Sequence, residues 1–158
     1  MTYIKNLAII SLIFGAISGV LALIPIFGIL ILLILIFCSS FLIIVFMKKF
    51  ALLPNPNEQT GMLWGGISGF VTFIGFSIIF LPCSFVLSLI FKQSYYTGIA
   101  MILKSGFSIM IMLVLFLAIL CAMMNAFAGL ASIYFFNSQS AVLPPKNTNF
   151  NLNVKKRK

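Results

Sequence analysis

Side chains that perform acid–base or metal chemistry are almost missing from this sequence. The chain of 158 residues has one carboxylate, Glu58, and neither aspartate nor histidine. Cys38, Cys83 and Cys121 stand far apart, without the C-x-x-C spacing or the neighbouring histidine of a metal or redox site. Because a nucleophile needs a base and a metal needs several ligands, the sequence predicts a protein that is not an enzyme and binds no cofactor or metal.

Asn125 is the one carboxamide deep inside an apolar run. On a helix it shares a face with Cys121 and Gly129, and an amide surrounded by lipid needs a hydrogen-bond partner. We expect it to bond a serine or a free carbonyl on another helix, for about 1 kcal/mol or less. The alternative is a ligand or ion role, shared with Ser84 and the carbonyl released near Pro82.

Glycines spaced four residues apart mark two further helix faces. Gly15 and Gly19 form one G-x-x-x-G motif, and Gly65 and Gly69 form a second, which Gly61 extends. This spacing lets two helix backbones approach closely, so we expect packing within the monomer. The alternatives are packing between copies and a chance occurrence, since glycine is common in transmembrane helices. The motifs occupy equivalent places in two helical hairpins, which would suit a duplicated two-helix unit.

Composition places most of these residues in lipid. The chain is 63% hydrophobic and 7% charged, against roughly 25% charged in an average soluble domain. Its net charge of +9 comes from basic residues that flank apolar runs or lie in tails. This placement is typical of membrane anchoring and argues against a nucleic-acid partner.

The apolar runs predict an all-α integral membrane protein, a bundle of four transmembrane helices made of two hairpins. The first run is too long for one crossing, so we expect a reversal at residues 25–28, where proline and glycine stand. The predicted spans are 7–24, 29–47, 63–90 with a kink at Pro82, and 107–132. Residues 1–136 form the membrane domain and 137–158 a disordered basic tail.

Basic residues set the predicted orientation. With four spans, eight of the ten basic residues fall on the side of the termini, which is therefore cytoplasmic. The last four, Lys155, Lys156, Arg157 and Lys158, could also contact an anionic membrane surface. We expect a bacterial cytoplasmic membrane, with the endoplasmic reticulum of a eukaryote as the alternative, because these four residues resemble a dilysine retrieval signal.

By elimination, the sequence predicts a small multi-pass membrane protein that acts as a non-enzymatic accessory or assembly subunit. Its partners would be the lipid bilayer and either a second copy or another membrane protein. The alternative is a passive transporter, channel-like or lipid-translocating protein for a neutral or lipid-like molecule, since coupled carriers normally hold a carboxylate within the membrane.

Overall fold

The computed structural model describes residues 2–50, 57–90, 104 and 106–142, and this part of the chain is helical without a strand. It contains five helices: α1 Thr2–Leu21, α2 Pro25–Phe37, α3 Ser39–Lys49, α4 Glu58–Ile90 and α5 Phe107–Val142. The all-helical prediction is therefore confirmed. Helices α1, α4 and α5 are each long and apolar enough to cross a membrane.

The first reversal comes earlier than predicted. Helix α1 ends at Leu21, residues 22–24 form the turn, and Pro25 is already at the start of α2. The turn is tightened by hydrogen bonds from the Leu23 N–H to the Val20 carbonyl and from the Ile24 N–H to the Leu21 carbonyl, both 3.2 Å. Proline is tolerated at the start of a helix because the first N–H groups have no intrahelical partner.

The prediction of one continuous helix over residues 29–47 is wrong. Helices α2 and α3 meet at Cys38 with a bend of 67°. Ser39 and Ser40 follow the break, and their hydroxyls bond groups on α5 and α4 and not the backbone of their own helix. Hydropathy does not show this break, since the run is apolar on both sides of it.

Helices α4 and α5 both extend beyond the predicted spans. Helix α4 starts at Glu58, inside the predicted polar loop, and continues through Pro82 to Ile90. Helix α5 continues to Val142, so residues 137–142 of the predicted disordered tail are helical. The rest of the tail, including Lys155–Lys158, lies outside the described residues.

Helix α4 is the centre of the bundle, with α1 and α5 packed closely along it. Two apolar clusters join the helices. The first joins α1, α3 and α4 through Leu7, Ile43, Ile44, Met47 and Trp64. The second joins the turn after α1 to α2, α4 and α5 through Ala22, Leu35, Phe73, Phe76, Ala118 and Cys121. The end of α3 therefore lies beside the start of α1, and the start of α2 follows the end of α1.

Large apolar side chains cover the outer surface of the bundle. On α5, Met112 is 76% exposed and Phe127 65% exposed. A water-soluble protein rarely exposes continuous apolar surface of this extent. The surface is compatible with an integral membrane protein.

Candidate functional site

The amide of Asn125, on α5, lies at the break between α2 and α3. Its Oδ1 accepts hydrogen bonds from the Ser39 hydroxyl at 2.9 Å and from the Ser40 backbone N–H at 2.8 Å. Its Nδ2 donates to the carbonyls of Leu35 at 3.1 Å and Ile36 at 2.8 Å. The asparagine is fully buried, so these bonds form away from solvent.

This arrangement matches the polarity of the two helix ends. The last carbonyls of α2 and the first N–H groups of α3 lack intrahelical partners, and the ends carry partial negative and positive charge. A carboxamide offers a donor to the first end and an acceptor to the second. Asn125 therefore takes the place of the backbone hydrogen bonds that the break removes.

Two neighbouring residues extend this network. The Asn125 Nδ2 also lies 3.0 Å from the carbonyl of Cys121, one turn back on α5. The Cys121 thiol is 3.6 Å from the Leu35 carbonyl. The Ser40 hydroxyl lies 2.6 Å from that of Ser68 and donates to the carbonyl of Gly65 at 2.8 Å. The network thus ties α2 and α3 to both α4 and α5.

The glycines of α4 allow this network to close. A methyl group in place of the hydrogen of Gly65 would meet the backbone carbonyl of Asn125 and would lie 2.9 Å from the Cα of Gly129. At Gly69 it would lie 2.5 Å from the Cβ of Asn125, and at Gly61 it would meet the side chain of Ile133. All three predicted glycines of this row therefore face α5, and Gly129 completes the contact from the other side.

The other predicted pair, Gly15 and Gly19, faces α4 instead. A methyl group on Gly15 would meet the Thr72 carbonyl, and one on Gly19 would lie 2.9 Å from the Phe76 carbonyl. Gly75 contributes from α4, since its methyl group would lie 2.7 Å from the Leu12 carbonyl. The two motifs thus have different partners: the first joins the two hairpins, and the second lies within one of them.

Ser84 does not belong to the Asn125 network. Its hydroxyl is buried and has no hydrogen-bond partner among the described residues, as is also true of Ser11 and Thr72. The structure therefore separates two residues that the ligand hypothesis placed together. Ser77 bonds the carbonyl of Phe73 in its own helix at 2.9 Å, as serines within helices commonly do.

A lateral groove separates α1 from α3. Its volume is about 460 Å³, and its lining is Ile10, Ile13, Phe14, Ile17, Leu42, Ile43 and Phe46. Its α3 lining, Leu42, Ile43 and Phe46, follows the bend at Cys38. No sequence pattern predicts the groove.

Basic and sulfur-containing residues form no chemical centre in the part of the chain that the structure describes. Lys48 places its Nζ 4.1 Å from the centre of the Phe136 ring, a cation–π contact between the ends of α3 and α5. The three cysteines are free thiols, exposed at Cys38 and buried at Cys121. No group of three metal-ligating side chains occurs among the described residues.

No family model, curated protein or solved structure matches the chain.

Proposed function

We propose that the chain is an integral membrane protein that crosses the bilayer four times, with α2 and α3 together forming one broken crossing. At 1.5 Å per residue, helices of 13 and 11 residues joined at 67° reach about 30 Å from end to end, the thickness of the hydrocarbon core. The packing of Met47 against Leu7 supports a full crossing. A re-entrant loop would return Met47 toward the end of α1 instead of its start.

The basic residues support an orientation with both termini in the cytoplasm. Lys5 precedes Leu7 on α1, and Lys48 and Lys49 close α3, so the three lysines belong to one end of the bundle. Lys104 precedes α5 at the other end. Short segments rich in lysine resist translocation, which places the first end in the cytoplasm.

Within that membrane setting, we propose that the protein is a non-enzymatic accessory or assembly subunit that packs with itself or with another membrane protein. The observation that carries this proposal is how its buried polar groups are used. The amide of Asn125 and the hydroxyls of Ser39, Ser40 and Ser68 bond other helices or their ends. Side chains that hold helices together in this way serve a scaffold more directly than a polar pathway.

The groove between α1 and α3 favours the alternative, a protein that passively moves a neutral or lipid-like molecule. The groove is apolar and opens to the side of the bundle, so it would admit an acyl chain more readily than a hydrated solute.

Reconstitution in vesicles distinguishes the two functions. For the assembly subunit we expect no release of a trapped polar dye, no accelerated exchange of a neutral solute, and no scrambling of NBD-labelled lipid measured by dithionite reduction. We also expect a defined homo-oligomer or a stoichiometric membrane partner when the protein is extracted from its native membrane into nanodiscs. Rapid scrambling by a monomer would instead support the lipid-translocating alternative.

A further inference from the structure

The groove between α1 and α3 has the form of a binding site for one hydrocarbon chain. Ile43 forms its floor and is 2% exposed, whereas Ile13, Ile17 and Phe46 stand at its rim and are about half exposed. A volume of about 460 Å³ lies within the range of small-molecule sites. The lining contains no polar side chain, so it suits an aliphatic ligand.

One end of the groove carries a positive charge in register with its lining. Leu42, Phe46 and Lys49 follow one another at intervals of four and three residues, so they share one face of α3. Asn6 occupies the corresponding place on α1, one turn before Ile10. Both polar side chains therefore stand where the groove meets the end of the bundle that holds the lysines.

This charge has few partners within the protein. Glu58 is the only carboxylate side chain of the chain, against ten basic residues. The neighbouring Lys48 is directed to the ring of Phe136 on α5, which leaves Lys49 as the lysine on the groove face. An anion beside Lys49 would come most simply from outside the chain.

From this juxtaposition of an apolar groove and an aligned lysine, we propose that the groove binds one anionic phospholipid of the cytoplasmic leaflet. One acyl chain lies between α1 and α3, and the phosphate group contacts Lys49 and Asn6. The proposal rests on the proposed membrane insertion, and it adds a specific lipid site to it. Such a lipid would fill the space between α1 and α3 and would brace the two helices against each other.

Trp64 provides a direct reporter for this site. It is the only tryptophan of the chain and packs in the same cluster as Ile43, the floor of the groove. Ile10 and Phe14 line the groove and pack against that cluster too. Trp64 is thus separated from a bound chain by one layer of side chains, close enough for quenching by a brominated lipid.

The full-length protein is reconstituted in phosphatidylcholine vesicles containing increasing fractions of phosphatidylglycerol brominated on one acyl chain. We expect quenching of Trp64 that saturates, with half-saturation at about fivefold lower mole fraction than for brominated phosphatidylcholine. Lys49→Gln should abolish this difference. Lys5→Gln removes the same charge at the same end but off the groove face, and it should preserve the difference.

A second pair of variants tests the groove itself. Ile13→Phe enlarges a half-exposed rim side chain and should reduce the saturable quenching by phosphatidylglycerol, whereas Ile9→Phe, on the exposed face outside the groove, should not. Equal quenching by the two brominated lipids in the unmodified protein would overturn the lipid site while leaving membrane insertion intact. Loss of the protein from the vesicles on alkaline washing and flotation would overturn the insertion and the site together.

Discussion

Asn125 stabilises the break because an amide carries both a donor and an acceptor. An aspartate of the same shape would present acceptor oxygens to the carbonyls of Leu35 and Ile36, where a donor is needed. A leucine would satisfy neither helix end. The requirement at this position is therefore for a carboxamide of this length, and it follows from the two helix ends that meet there.

Replacing Asn125 with alanine should destabilise the protein by about 2 to 4 kcal/mol. The change removes the Asn125 partner of the Ile36 carbonyl and the Ser40 N–H and leaves the Leu35 carbonyl with only the weak thiol donor of Cys121. Each buried group left unpaired costs about 1 to 3 kcal/mol. This exceeds the cost of a side-chain pair between transmembrane helices, about 0.6 kcal/mol on average. Unfolding titrations in mixed micelles measure the difference in the free energy of unfolding between the variant and the unmodified protein.

Asn137 is the matched control on the same helix, because its side chain is exposed. Asn137→Ala should change the free energy of unfolding by less than about 0.5 kcal/mol. Equal effects of the two substitutions would show that the network at the break does not contribute to stability.

At the scale of single residues, the sequence predicts much about Asn125. An amide in an apolar run must find a partner, and a serine or a free carbonyl on another helix was the expected one. Ser84 shows the limit of this reasoning. Polarity and burial identify a hydroxyl that needs a partner, but only the packing of α4 against its neighbours decides which groups lie within reach.

Among the elements, α4 packs closely on α5 because glycines line the contact. Gly65→Ala should destabilise the protein by about 1 to 3 kcal/mol, since the added methyl group would meet the backbone of Asn125 and Gly129. Thermal unfolding in detergent should therefore show a lower midpoint for this variant.

The adjacent Gly66 offers an internal control for this contact. A methyl group there would lie 3.7 Å from the Ala122 carbonyl, an ordinary van der Waals distance. Gly66→Ala should be neutral or should stabilise the helix slightly, because alanine is the better helix former by up to about 1 kcal/mol. A lower midpoint for Gly66→Ala than for Gly65→Ala would contradict this view of the contact.

A second link beside the break joins α3 to α4 and depends on Ser40. Its hydroxyl joins α3 to Gly65 and Ser68 of α4, so Ser40→Ala should cost about 1 kcal/mol in the same unfolding titration. Ser88 bonds only within its own helix in the described structure, to the Phe85 carbonyl. Ser88→Ala should therefore cost clearly less, and a larger loss for it would refute the link.

The elements themselves were predictable to different degrees. Hydropathy located α1, α4 and α5, since each contains a long run without acidic residues. It missed the break at Cys38 because the residues on both sides are equally apolar, and the signal was limited to the serine pair that follows. It did not assign residues 137–142 to a helix because most of them are polar, yet they continue the helix that precedes them.

The path of the whole chain through the bundle depends on the turns between helices and on the packing between distant helix ends. Helices α2 and α3 are too short to cross alone, and the sequence cannot tell whether they continue across or turn back. The contact of Met47 with Leu7, which joins residues distant in sequence, is the observation that supports the proposed broken crossing. The proposed orientation rests on the distribution of lysines, because four crossings collect most of them on the side of the termini.

Labelling of single cysteines tests this course in intact cells. In a background with Cys38, Cys83 and Cys121 replaced by alanine, cysteine is introduced at Thr2, Lys49 or Lys104. Four crossings predict that a membrane-impermeant maleimide reaches only position 104 from outside. Positions 2 and 49 should react only after permeabilisation, which also serves as the control for their intrinsic reactivity.

A re-entrant α2–α3 pair would invert part of this pattern. The chain would cross only three times, so position 49 would lie outside and position 104 inside, while position 2 would be unchanged. External labelling at position 49 with protection at position 104 would therefore reject the broken crossing. It would also remove Lys49 from the cytoplasmic leaflet, and the positive end of the groove would then face the leaflet that attracts basic residues less strongly.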